Sequence, residues 1–192
     1  MTTVHMVRHG PTHRHGLIGW TDVPADLSDE AALARLVKML PQDAVLISSD
    51  LIRCVATADA IGEGKYRLVH DAGLREFNFG AWEEMTFAEV SARDPDISRA
   101  YWSDPGDTAP PGGESWNASA RRISRAVDRL VQNHSGRDII VVAHFGAILT
   151  QVQRTARMTP KAALSFRIDN LSVTTLEHLG SAWRILGVNH LP

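Results

Sequence analysis

The sequence predicts an α/β domain, a three-layer α/β/α sandwich built on a mostly parallel central sheet. Three observations carry that expectation. Short runs rich in β-formers alternate with longer amphipathic segments, the pattern of strand–helix–strand units. One run, Ile139-Ile140-Val141-Val142, is unbroken and β-branched, as in a strand covered on both faces. A length of 192 residues, 44% hydrophobic and 22% charged, supplies one sizeable core and is short for two.

The elements follow in order. Thr3 to Val7 alternates and is β-rich, and Gly10 and Pro11 stop it after Arg8-His9. Ser28-Asp29-Glu30 reads as a helix start with acidic residues in the first turn. Leu33, Leu36, Val37 and Leu40 continue it at helical spacing, with Pro41 just beyond. Ala44–Ile47 is a short apolar strand. Ser48-Ser49-Asp50 then looks like the cap of a second helix, with Ile52, Val55 and Ala56 inward and Gly62 at its end. Tyr66–Val69 reads as another strand. Glu83–Ala92 and Ile97–Trp102 read as helices split by Pro95, and the Pro- and Gly-rich stretch Asp104–Gly113 as a loop. Trp116, Ala120, Ile123, Val127 and Leu130 form the apolar stripe of a long helix. A strand over Asp138–Ala143 and a helix from Ala147 to about Arg157 come next. Two strands, Ser172–Glu177 and Ala182–Leu186, end the chain.

Net charge is −2 and the sequence pI about 6.5, which excludes a globally basic nucleic-acid binder, and the composition is not that of a disordered chain. No nucleic-acid partner is expected. No segment nears the ~18 continuous apolar residues of a membrane span, and Met1–His5 opens no secretory leader, so no membrane association and a cytoplasmic location are expected. A single cysteine, Cys54, excludes an intramolecular disulfide and reads as a small core residue. The charge is uneven: residues 1–96 sum to −6 and residues 97–192 to +4. Arg121, Arg122, Arg125 and Arg129 read as a solvated helix face. Trp82, Trp102, Trp116 and Trp183 read as core anchors.

In open α/β sheets, ligands bind beyond the carboxyl ends of the strands. Here those ends deliver Arg8 and His9 from the first strand, Arg53 one helical turn after the second, and His144 from Ile139–Ala143. Arginine grips planar anions through forked hydrogen bonds and stays charged, while histidine can be a neutral nucleophile near neutral pH. Two of each suit a phosphoryl group: one imidazole attacks phosphorus while cations neutralise the oxygens. A carboxylic acid must still protonate the leaving oxygen. His9, His13 and His15 have a metal-like spacing without a clear carboxylate support, and no metal site is expected.

Val7-Arg8-His9-Gly10 with Thr12 resembles the signature of the histidine phosphatase superfamily, also called phosphoglycerate-mutase-like. The resemblance runs on through Gly19-Trp20-Thr21-Asp22, Ser48 to Ala58, and Leu74-Arg75-Glu76 to Glu83. It continues in Pro111-Gly112-Gly113-Glu114-Ser115, Val142-Ala143-His144 and Asn170 to Thr174. These motifs cover nearly the whole chain in the family's order. The resemblance implies the phosphoglycerate-mutase-like fold as a single domain over 1–192, with a small helical lid inserted at about 77–113. It implies His9 as the nucleophile, Arg8, Arg53 and His144 completing a phosphate pocket, and Glu76 as acid and base. Gly10, Thr12, His15, Thr21 and Phe145 would contact substrate. No cofactor is implied.

The chain departs from the family's commoner pattern at Pro11 (Glu is frequent), His15 (Asn is frequent), Glu84 (Gly of Trp-Glu-Gly) and Phe145 (Gly is usual). Glu83 and Glu84 compete with Glu76 as the proton donor. The compact segment between Gly80 and Gly113 and the Pro-Gly-Gly-Glu-Ser run resemble the hydrolytic branch, which includes broad-specificity and α-ribazole phosphatases. The expected activity is therefore hydrolysis of a small phosphorylated metabolite. The alternatives are a cofactor-dependent phosphoglycerate mutase and a non-catalytic phospho-ligand binder. Oligomeric state is left open.

Overall fold

The computed structural model describes residues 1–192. Its centre is β4 (Asp138–Ala143), flanked by β1 (Thr2–Arg8) on one side and β2 (Val45–Ser48) on the other. The short β3 (Tyr66–Arg67) lies outside β2, and β5 (Val173–His178) and β6 (Trp183–His190) lie outside β1, giving the order β3-β2-β4-β1-β5-β6. The four strands from β3 to β1 are mutually parallel, β5 runs antiparallel to β1, and β6 runs antiparallel to β5. The sheet is thus mixed, with a parallel half that carries the strand ends of interest.

The unbroken apolar run of β4 does what its composition requires. Ile139 and Val141 join a cluster with Ile123, Val127 and Leu130 of α5 (Trp116–Asn133) and Ile148 and Leu149 of α6 (Phe145–Ala156). Ile140 and Val142 point the other way, to Leu36 of α1 (Glu30–Met39) and Cys54 and Ala58 of α2 (Ile52–Ala60). Successive side chains of a strand alternate between faces, so one four-residue run fills both layers. Each such fully buried side chain is worth about 1.5–3 kcal/mol. A third, smaller cluster of Leu17, Trp82, Val90 and Tyr101 underlies α3 (Phe87–Arg93) and α4 (Pro95–Ser103). The four-residue α7 (Pro160–Ala163) follows α6. No helix is long and apolar enough to cross a membrane.

Several local expectations are corrected. Asp29 caps α1 as expected, accepting the Ala32 N–H. The Ser48-Ser49-Asp50 cap of α2 does not form. Leu51 occupies the cap position, and Asp22, thirty residues upstream, accepts the Ile52 N–H at 2.7 Å. The inward face of α2 is also different: Ile52 is 48% exposed, while Arg53, Cys54, Thr57 and Ala58 are buried. The helix is turned so that Arg53 enters the site, a tertiary demand that apolar periodicity does not register. β3 stops at Arg67, and Val69 is 87% exposed.

The helix expected from Glu83 begins only at Phe87, behind a Thr86–Glu89 capping box. Before it comes a 3₁₀ turn, Gly80–Trp82. α6 begins at Phe145, two residues earlier than expected, with His144 as its cap residue. Trp82 and Trp116 are core anchors, whereas Trp102 and Trp183 are only partly buried.

Candidate active site

His9 stands directly after β1. Its backbone N–H bonds Ala143 O at 3.1 Å and its carbonyl accepts from the Asn170 side chain, so the neighbouring strand and loop fix its position. The imidazole Nδ1 lies 2.7 Å from Gly10 O. A carbonyl only accepts, so Nδ1 carries the proton and Nε2 keeps its lone pair. Burial, reinforced by the Arg53 and Arg8 charges, pushes the pKa down to about 3. His9 is neutral at every ordinary pH, which is what a nitrogen nucleophile requires.

Gly10 orients His9 and has no side chain for a spatial reason: a Cβ there would sit 2.6 Å from Leu27 Cδ2 and 3.1 Å from Asp26 O. Its N–H is taken by Thr57 Oγ1 at 3.0 Å, so it has none to offer a substrate.

Arg53 is buried and reaches across the site. Its Nη1 donates to Thr21 O and its Nη2 to Gly19 O, while Nε donates to His144 Nδ1 at 3.2 Å. His144 therefore holds its proton on Nε2, 3.4 Å from Cys54 Sγ. Burial is the main reason that the pKa of His144 falls well below the ordinary value, with the Arg53 charge next. Its ring meets that of His9 edge-on, centroids 5.2 Å apart. Burial pushes the Cys54 thiol up, and the residue serves as packing behind the two imidazoles. Arg8 donates through Nη1 to Ile168 O, lies under the Phe145 ring, and keeps its buried Nε without a partner.

Glu76 is buried beside the start of α6. Oε1 accepts from the Phe77 and Ala147 N–H groups, and Oε2 from Gly146 N–H. Backbone donors at a helix N-terminus favour the carboxylate. Burial opposes them and is the larger influence, so the pKa is raised. Glu83 contrasts with it. Its oxygens accept from Gly19, Trp20, Thr21 and Phe79 N–H groups and from Thr21 Oγ1, which commits it to shaping the 19–21 loop. Glu84 is exposed, with φ at 64° in the left-handed region. Of the three candidate acids, Glu76 alone lines the cavity.

That cavity, of about 350 Å³, is lined by Arg8, His9, Thr12, Arg53, Glu76 and Phe145 among the expected residues. His144 lies behind it. Gly10, His15 and Thr21 do not line it: His15 is exposed, and the Thr21 hydroxyl donates to Glu83 at 2.7 Å. His13 turns to Asp26 at 2.6 Å, and no three His, Cys, Asp or Glu side chains converge as an ion-holding set. The remaining wall is mostly apolar. α3 and α4 contribute Phe87, Tyr101 and Trp102, and the stretches before them Leu17, Ile18 and Phe79.

Arg122 is the residue that the sequence reading misplaced. It is not solvated. Nε and Nη2 grip Glu114 at 2.8 and 2.6 Å, and the same guanidinium donates to the carbonyls of Gly73, Arg75 and Glu76. Glu114 in turn accepts the Asn78 N–H. This clamp fixes the backbone that carries Glu76. Its one sequence signal is the glutamate of Pro-Gly-Gly-Glu-Ser, which stands just before the Ser115 cap of the helix that carries Arg122.

Comparison with known proteins agrees with this geometry. The chain is 36% identical over 156 residues to the glucosyl-3-phosphoglycerate phosphatase of Mycolicibacterium vanbaalenii, covering 74% of this chain and 69% of that one. It is 40% identical over 102 residues, 53% of its length, to the Bifunctional protein Rv2228c of Mycobacterium tuberculosis, and spans only 28% of that longer protein. Among solved structures, Bacillus stearothermophilus YhfR superposes with a TM-score of 0.91 at 26% identity, covering all of this chain and 98% of the other. The model of the histidine phosphatase superfamily (branch 1) matches residues 4–191, and to that family the chain belongs.

Proposed function

We propose that the protein hydrolyses the phosphomonoester of a small metabolite through a phosphohistidine on His9. The observation that carries this is the Nδ1–Gly10 carbonyl contact, which leaves a neutral Nε2 lone pair in a cavity shared with Glu76 and two arginines. Nε2 attacks phosphorus, the P–O bond to the alcohol breaks, and protonated Glu76 gives its proton to the departing oxygen. Glu76, now a carboxylate, takes a proton from water. The water oxygen attacks phosphorus, the P–N bond breaks, and phosphate leaves with His9 neutral again. Arg8 and Arg53 balance the charge on the phosphoryl oxygens. His144 acts through Arg53, holding its Nε, and is a positioning residue.

Residues 77–113 serve in this reading as the cap over the leaving alcohol, within one domain. Hydrolysis is favoured over phosphoryl transfer between metabolites by the short stretch between Gly80 and Gly113 and by the phosphatase named above as a relative. A cytoplasmic location fits the single free, buried cysteine.

Rapid quenching with a 32P-labelled ester should trap an acid-labile phosphoenzyme in the native protein and none in His9→Ala. A panel of sugar phosphates, phosphoglycerates and α-ribazole phosphate should release inorganic phosphate without a bisphosphoglycerate primer. Labelling that survives in His9→Ala, or turnover only with the primer, overturns the proposal.

A further inference from the structure

The aromatic wall of the cavity carries two hydrogen-bond donors with nothing to bond. Tyr101 lines the cavity and is 3% exposed, yet its buried Oη has no partner. Trp102, the next residue and also in the wall, has a buried Nε1 with no partner. Three other indoles in the chain are satisfied: Trp20 donates to Glu76 O, Trp82 to Asp94 and Trp116 to Gln153. A buried polar atom without a partner costs about 1–3 kcal/mol, and native proteins keep few. Seven other buried side-chain atoms lack a partner as well, but of their residues only Arg8 lines this cavity, so Tyr101 and Trp102 supply its two neutral unpaired donors.

Nor can the two side chains readily turn elsewhere. The Tyr101 ring packs edge-on against Trp82 and Trp102, at centroid distances of 5.5 and 4.8 Å, and Trp102 packs against Phe87 at 5.2 Å. Burial above all keeps the Tyr101 phenol protonated, so it remains a donor. The same wall is otherwise largely aromatic and apolar, with Phe79, Phe87 and Ile18.

We infer that this wall is the subsite for the alcohol half of the substrate, and that the alcohol bears a flat, largely apolar group with a hydrogen-bond acceptor, such as a heteroaromatic ring, received by Tyr101 and Trp102. The inference rests on the phosphatase reading for where the phosphate sits. Aromatic faces take the ring by stacking, and the donors select the acceptor because leaving them unpaired is costly.

The test compares benzyl phosphate with the three pyridylmethyl phosphates, which share its linkage and size, and with glycerol 3-phosphate. In the native protein the best pyridyl isomer should exceed benzyl phosphate by about tenfold in kcat/KM, as one added buried hydrogen bond implies. Both should exceed glycerol 3-phosphate. The pyridyl-to-benzyl ratio should shrink in Tyr101→Phe or Trp102→Phe and approach one in the double variant. Equal kcat/KM for benzyl and all pyridyl esters, or a ratio that survives the double variant, overturns the inference. Dissociation constants of the same esters, measured in His9→Ala, carry the test independently of turnover. A pyridyl preference in binding with no hydrolysis by the native protein would sink the phosphatase reading and leave the subsite standing. Hydrolysis with no preference would do the reverse.

Discussion

The base of the cavity and its aromatic wall are built on opposite logic. At the base, most polar atoms are spoken for, the Nε of Arg8 being the exception. His9 is fixed by Gly10, Arg53 by two carbonyls and His144, Glu76 by three N–H groups, and the Glu76 backbone by Arg122. In the wall, Tyr101 and Trp102 hold donors in reserve, and Phe87 is exposed. Groups that take part in bond-making gain from being locked in place before substrate arrives. Groups that recognise a variable alcohol must leave hydrogen bonds unmade until it binds. The chemistry is prepaid and the specificity is not.

The largest expected effect tests the base. Glu76→Gln should lower kcat for alkyl phosphates by about 10²–10⁴-fold, the usual contribution of a positioned acid. For p-nitrophenyl phosphate, whose leaving group departs unprotonated, the loss should be about tenfold or less. Equal losses on both esters would remove Glu76 as the donor. A smaller effect tests the support beneath it. Arg122→Ala leaves Glu114 half-buried without its partner and should cost about 3 kcal/mol in chemical denaturation. It should lower kcat more than it raises KM, because the backbone of the donor is what it frees. An unchanged kcat would separate the clamp from the chemistry.

The smallest effect tests the cap side. Glu84 pays for a left-handed backbone that glycine adopts freely, so Glu84→Gly should raise stability by about 0.5–1 kcal/mol, read from the thermal midpoint. Turnover should stay within twofold.

Much of the base was legible in the sequence because each group sits at or just beyond a strand end. Arg8 ends β1, His9 and His144 directly follow β1 and β4, and the apolar run Ile139–Val142 marks its strand plainly. Glu76 was identified through its Leu-Arg neighbours, and the structure separates it from Glu83 by the use of each carboxylate. What escaped the sequence are bonds closed over long separations. Asp22 caps α2 from thirty residues away, Glu83 gathers a loop more than sixty residues upstream, and Arg122 clamps a segment 46 to 49 residues before it. No local window contains both partners. Gly10, Thr21 and His15 were singled out for substrate contact because they stand in the family's motifs. Two of them spend their polar atoms inside the protein, and the third faces solvent.

The contact between α6 and Glu76 sets unequal tolerances on two neighbouring positions. A Cβ at Gly146 would lie 2.5 Å from Glu76 Oε1 and 3.1 Å from the Phe77 ring, so any larger residue there displaces the acid. Phe145, one position earlier, lines the cavity and packs its ring against Arg8. A side chain at 146 therefore shifts the Glu76 carboxylate, whereas exchange at 145 alters the cavity wall and the contact with Arg8. The adjacent pair thus bears on two different groups, 146 on the Glu76 carboxylate and 145 on the Arg8 guanidinium and the cavity wall.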